Sequence, residues 1–203
     1  MHNTIENVYG SERSVESIFA REMLIKYLKD RPGSKVLDVG GIPTHVPSHN
    51  LVMEAFKQIK ATHEVADFRG GKYRGDFVTM RIPEKFDCVM FISSLEHFPQ
   101  CTEGDLQYRD GEDRKGYEKA LSILKDGGKI ILTVPYGKHV WQEYHQNYDW
   151  QGIRNLTKGS SVVEEYCYRL VGEGWVKEDP HNMTDILYTD KAYGVGCFVF
   201  EKD

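Results

Sequence analysis

No stretch of this 203-residue chain comes near the ~20 consecutive apolar residues that a membrane-spanning helix requires. Its first residues, MHNTIENVYGSERS, have neither the basic start nor the apolar core of a secretory signal, so the sequence predicts a cytoplasmic protein without a membrane partner. Cysteine is sparse: Cys88, Cys101, Cys167 and Cys197 include no CxxC pair, which speaks against a zinc or redox motif and predicts free thiols. Basic runs are missing too. With a formal charge of −5 the surface is not built for nonspecific phosphate neutralisation, and nucleic acid is not an expected partner. Internal repeats, low-complexity tracts and Pro/Ser-rich linkers are also absent. What remains, 40% hydrophobic and 28% charged residues, is ordinary for a globular chain and argues against disorder. The length fits one domain over residues 1–203, with a helical lead-in over about 1–33.

Apolar strand-like runs alternate with helical patterns, the signature of a parallel sheet covered by helices. Ser14 is the expected cap of a first helix carrying two adjacent rows, Phe19, Met23, Tyr27 and Ala20, Leu24, Leu28. Residues 35–40 (KVLDVG) read as the first buried strand. Val52, Ala55, Phe56 and Ile59 mark one face of the next helix. A second strand is expected at residues 63–68 (HEVADF), a short third at 77–80 and a fourth at 86–92 (FDCVMFI). The helix with Tyr117, Ala120, Leu121 and Leu124 on one face is expected to end at Gly127-Gly128, followed by a strand at 129–134 (KIILTV). Trp175 and residues 195–200 (VGCFVF) predict an antiparallel pair at the edge.

In such a sheet ligands bind beyond the carboxyl ends of the strands. Gly40 and Gly41 follow the first strand, where absent side chains let a ligand approach the backbone. Asp67 ends the second, where it can accept hydrogen bonds from a ribose diol. Ser93-Ser94-Leu95-Glu96-His97 follows the fourth strand and Pro135-Tyr136-Gly137 the fifth. Structural readings stand beside these: the glycines serve equally as a tight turn, and Asp38 supports that loop from below. Asp87, at a strand start, is structural.

KVLDVGG resembles the first motif of class I S-adenosylmethionine-dependent methyltransferases, KFDCVMFISSLEHF resembles their fourth-strand segment, and ALSILKDGGKIILTVPYG is similar to their helix, Gly-Gly turn and fifth strand. The resemblance covers residues 35–137. It implies a Rossmann-like, doubly wound seven-stranded sheet with an antiparallel C-terminal hairpin in a three-layer α/β/α arrangement. It also implies S-adenosyl-L-methionine as cofactor, with Asp38, Val39, Gly40 and Gly41 around its amino-acid part and Asp67, with Phe68 beside it, at the ribose. Asp76 and Phe77 would lie at the adenine, and Ser93 and Ser94 near the sulfonium. One departure is the glycine loop, where Gly40-Gly41-Ile42-Pro43-Thr44 replaces the family's GxGxG.

His97, His139 and His145 follow the fourth and fifth strands and are the candidate catalytic bases, since a neutral imidazole can take a proton from an acceptor hydroxyl. The competing reading is local packing for His97 and a solvated loop for the other two. The aromatic segment 141–150 (WQEYHQNYDW) reads either as an acceptor wall or as a surface packed on the sheet. Glu103, Asp105, Asp110, Glu112 and Asp113 read as a solvated face, and no metal site is expected. The loops 99–116 and 138–148 are expected to form the acceptor pocket. The function expected is methyl transfer to oxygen or nitrogen of a small molecule. Two alternatives stand: a noncatalytic Rossmann-like binding protein, and a nicotinamide-dependent oxidoreductase, which the missing G-x-G-x-x-G disfavours.

Overall fold

The computed structural model describes residues 8–41, 49–100, 109–142, 145–187 and 194–203. The chain runs β1 (Val8–Tyr9), α1 (Glu12–Leu28), β2 (Lys35–Val39), α2 (His49–Ile59), β3 (Thr62–Asp67), β4 (Tyr73–Arg74) and β5 (Phe86–Ile92). A short 3-10 turn at Leu95–Gln100 precedes α3 (Glu112–Ile123), β6 (Leu124–Pro135), β7 (Val140–Gln142), β8 (His145–Asn147) and α4 (Trp150–Leu156). The last elements are β9 (Ser160–Val171), β10 (Gly174–Glu178) and β11 (Gly194–Lys202).

Nine strands form one sheet in the order β1-β10-β9-β11-β6-β5-β2-β3-β4. Seven of them are five residues or longer, and the two-residue strips β1 and β4 sit at the edges. Strands β6, β5, β2, β3 and β4 are parallel, and β11 turns antiparallel against β6. Side-chain alternation divides the core in two. Val36, Cys88, Met90, Ile131, Cys197 and Val199 face α1 and α2. Leu37, Val89, Phe91, Ile130, Leu132, Phe198 and Phe200 face α3 and α4. The result is the expected three-layer arrangement, since each helix must bury its apolar stripe against a sheet face.

Several local expectations are corrected. The first helix starts at Glu12 with Ser11 as its cap position, so Ser14 is already helical. The third strand is β4, because Asp76 folds 77–80 into a turn by accepting the Val78 N–H at 2.9 Å. Helix α3 stops at Ile123. Gly127 does take a left-handed φ of 68°, but it does so in a bulge of β6 that shifts the register between Phe86 opposite Leu124 and Cys88 opposite Lys129. The antiparallel C-terminal hairpin is β9–β10, and β9 carried no recognised signal because its half-exposed residues break clean alternation. Nor is β11 at the edge: it lies between β6 and β9, and Gly194 to Phe200 are all buried, as a continuous apolar run in an interior strand should be.

Cys88, Cys167 and Cys197 are buried free thiols, and burial pushes each above the ordinary thiol range. Cys101 lies outside the described residues, as do Glu103 and Asp105. Glu112 and Asp113 form the first turn of α3, where their charge complements the helix dipole. Among the described residues no helix is long and apolar enough to cross a membrane.

The interior position of β11 makes its aromatic residues costly to trim. Phe198→Ala, which empties a site packed against Tyr136 and Phe200, is expected to lose about 3–5 kcal/mol of stability in urea unfolding.

Candidate functional site

The sheet reverses its winding at β2: β3 lies on one side and β5 on the other, so the carboxyl ends of β2 and β5 part at a switch point. Gly40 crosses it with a φ of 81°, and a Cβ there would come within 2.6 Å of the Ser94 Cβ. Ser94 Oγ donates to Val39 O at 2.7 Å, and Gly40 N donates to Ala66 O at 2.9 Å. The loop is thus pinned to β5 and β3 together. Below it, Asp38 is buried and its Oδ2 lies 3.2 Å from His63 Nε2, with the His63 ring stacked on Phe56 at 4.4 Å. A Cβ added at Gly41 would fall on the Asp38 carboxylate.

At the next strand end, Asp67 Oδ1 accepts the Arg69 N–H at 2.7 Å, and its Oδ2 accepts no hydrogen bond among the described residues. Phe68 is half-buried beside it. Asp76 spends its carboxylate on its own turn, taking Val78 N–H at 2.9 Å and the Thr79 hydroxyl at 3.2 Å. Phe77 is buried edge-on to Phe91 and Phe98, at 5.8 and 6.1 Å. Its ring packs into the core.

Beyond β5, Ser93 takes a left-handed φ of 47°. For a residue with a side chain this costs on the order of 1–3 kcal/mol and needs surrounding structure to hold it. Thr133 on β6 supplies that hold: Ser93 N donates to Thr133 O at 3.1 Å and to Thr133 Oγ1 at 3.0 Å. The Thr133 hydroxyl donates onward to Glu16 Oε1 at 3.1 Å. Glu16 comes from α1 and is 1% exposed. Burial pushes its carboxyl up to about 7, against the pull of Arg13, with the nearby Glu96 charge adding to the rise and the Ser93 and Thr133 hydroxyls opposing it. Arg13 Nη1 donates to Ile92 O at 3.0 Å and lies 3.4 Å from Glu16 Oε2. Glu96 is equally buried, and its Oε1 stands 3.8 Å from His97 Nε2.

The His97 and His145 rings meet edge to face at 6.2 Å. Burial, and then the His97 charge, press His145 down to about 4, so it is neutral near pH 7 and a weak proton acceptor. His139 stands apart from this pair, exposed, with Nδ1 3.9 Å from Asp149. Within the segment 138–148, β7 pairs antiparallel with β8, and Tyr148 just after β8 is buried and donates to Asp113 Oδ2 at 2.7 Å. Of the other expected loop, 101–108 lies outside the described residues, and Glu112 onward is helix.

No family profile matches the chain, and no curated protein does. Solved structures do. An S-adenosylmethionine-dependent methyltransferase from Clostridium acetobutylicum superposes with a TM-score of 0.55 at 12% identity, over 94% of this chain and 92% of that one. This chain has the class I methyltransferase fold. The N-methyltransferase NodS from Bradyrhizobium japonicum, in complex with S-adenosyl-L-homocysteine, shares it at a TM-score of 0.51 and 12% identity, over 95% and 88% of the two chains. So does SpnF, a (4+2)-cyclase, at a TM-score of 0.53 and 11% identity, over 98% and 88%.

On this methyltransferase fold the structure gathers Val39, Gly40, Ser93 and Ser94 at one switch point, with Asp67 at the neighbouring strand end and His97 with His145 beyond β5. The sequence reading missed Glu16 and Thr133. A signal existed for the first: Glu16 shares the buried row of Ala20 and Met23, and a lone acid in an apolar stripe needs a reason. Among the described residues no group of three or more His, Cys, Asp or Glu is set to hold a metal ion.

Two outcomes follow from this packing. Gly41→Val is expected to lower the melting temperature without any ligand, because the side chain collides with Asp38. Glu16 holds its proton more tightly folded than unfolded, so between about pH 4.5 and 7 the folded state binds more protons and stability falls as pH rises. Urea unfolding at pH 5 and pH 8 should show that loss in the native protein and a smaller one in Glu16→Gln.

Proposed function

We propose that the protein is an S-adenosylmethionine-dependent methyltransferase acting on a small-molecule oxygen or nitrogen acceptor. The observation that carries this reading is the convergence of a left-handed glycine, a strand-end carboxylate and a strained serine on one carboxyl edge of a methyltransferase fold. The residues present fit such a cofactor. Asp67 Oδ2 is available to a hydroxyl donor, and Gly40 keeps its backbone open where a side chain would not fit. Val39, Gly40 and Gly41 would flank the amino-acid part with Asp38 as their support, Asp67 with Phe68 would hold the ribose, and Ser93 and Ser94 would line the sulfonium end. Asp76 remains the candidate for the adenine amino group.

The cofactor supplies an electrophilic methyl group. The protein's task is to hold the acceptor atom in line with it and to exclude water. His97 is the favoured base for a hydroxyl acceptor. His145, kept neutral by burial, suits a hydrogen-bond acceptor that orients the nucleophile, whereas His139 is better read as the partner of Asp149. A second reading, that this chain uses the fold for something other than methyl transfer, is favoured by the tight Gly41–Asp38 packing and by the cyclase that shares the fold.

Saturating S-adenosylhomocysteine is expected to raise the melting temperature by mass action, and an unmoved transition would remove the cofactor reading. Asp67→Ala should cost about 1.5–3 kcal/mol of affinity for it, the range for hydrogen bonds to a charged group. Calorimetry with the 2′,3′-dideoxy analogue makes the test specific: the native protein should discriminate strongly between the two ligands and the variant hardly at all.

A further inference from the structure

Helix α1 precedes the first parallel strand, yet it sends two charged side chains to the ligand edge. Apart from Ser17 its other buried residues are apolar, among them Val15, Phe19, Ala20, Met23 and Leu24, and a leucine at position 16 would serve that packing better than an acid. Glu16 instead ends a line of hydrogen bonds drawn from three elements: Ser93 N–H to Thr133 Oγ1 at 3.0 Å, and Thr133 O–H to Glu16 Oε1 at 3.1 Å. The line stops at the one described residue of the ligand edge that has a side chain and a left-handed φ. Arg13 fastens the same helix to the last carbonyl of β5, at Ile92.

Resting on the reading that S-adenosylmethionine occupies this edge, we propose that Glu16 is a positioning residue: acting through Thr133, its carboxylate fixes the Ser93 turn in the conformation that receives the cofactor. An ionised Glu16 can only accept, so it draws the Thr133 hydrogen toward itself and leaves the Thr133 oxygen to the Ser93 N–H. A protonated Glu16 can donate to that same oxygen, competes with Ser93, and loses its attraction for Arg13. The groups facing it are Arg13 from its own helix, Ser93 and Glu96 from the segment after β5, Thr133 from β6 and Cys197 from β11. Cys197 is held neutral by burial, and the His97 imidazole lies further outward, beside Glu96. Because burial brings Glu16 to about 7, the change falls inside the working pH range.

The first test needs no ligand. In 15N-labelled protein the Ser93 amide resonance is expected to titrate with a midpoint near 7. The titration should vanish in Glu16→Gln, shrink in Thr133→Val, an isosteric loss of the hydroxyl that leaves only the direct contact of Glu16 with the Ser93 hydroxyl, and recover in Thr133→Ser. A Ser93 resonance that is flat in the native protein, or that titrates equally in Glu16→Gln, overturns the proposal. The second test is the affinity for S-adenosylhomocysteine by calorimetry at pH 6 and pH 8. It should weaken on acidification about two- to tenfold, the worth of one net hydrogen bond, in the native protein and not in Glu16→Gln. Binding that is equally independent of pH in both proteins sinks the role of Glu16 and leaves the cofactor reading standing. Absence of binding at every pH sinks the cofactor reading and with it the function assigned to the turn, while the Ser93 titration still decides whether Glu16 governs its geometry.

Discussion

The close approach of Gly40 to Ser94 is the contact on which the candidate site depends. Parallel strands β2 and β5 are neighbours in the sheet but are separated along the chain by a helix and two strands, so their carboxyl ends share no local geometry. One hydrogen bond from Ser94 to Val39, and one missing side chain at Gly40, join them. A second layer of ties, Asp38 to His63 below and Ser93 to Thr133 beside, then fixes each loop to its own support. The edge is rigid where a ligand's backbone contacts would fall, which is how a site on loops acquires the precision of its scaffold.

Legibility in the sequence followed burial. Strands β2, β5 and β6 lie inside the sheet with both faces covered, and such strands announce themselves as unbroken apolar runs bounded by glycine or proline. β9 has one neighbour that bulges between Val199 and Phe200 and a face open to water, so Glu164, Glu165 and Arg169 blur its period. β4 is two residues long and carries no pattern at all. The same logic explains the site. Gly40, Asp67 and Ser93 stand at strand ends and are found by counting along a strand, whereas Glu16 reaches the edge from a helix whose distance in sequence hides its distance in space. The packing of Phe77 against Phe91 and Phe98 was not legible, because its position beside an acid says nothing of the rings it meets.

Electrostatically the far end of the edge is governed by buried groups. His145 is held uncharged, Glu16 sits between states, and Arg13 pulls against the burial of Glu16. The buried acids Glu16 in α1 and Glu96 after β5 set the balance of that environment more than the exposed charges elsewhere, whose fields water screens.

The place of β11 bears on how the molecule comes to be made. It pairs Val195 with Pro135 on one side and with Tyr168 on the other, joining a parallel half to an antiparallel half. During synthesis β6 leaves the ribosome with one edge bare and keeps it so until every other strand has emerged, and the β9–β10 hairpin has no sheet to join in that interval. The nascent chain therefore carries an adhesive border of Ile130, Ile131 and Leu132 for the time it takes to translate the following segment.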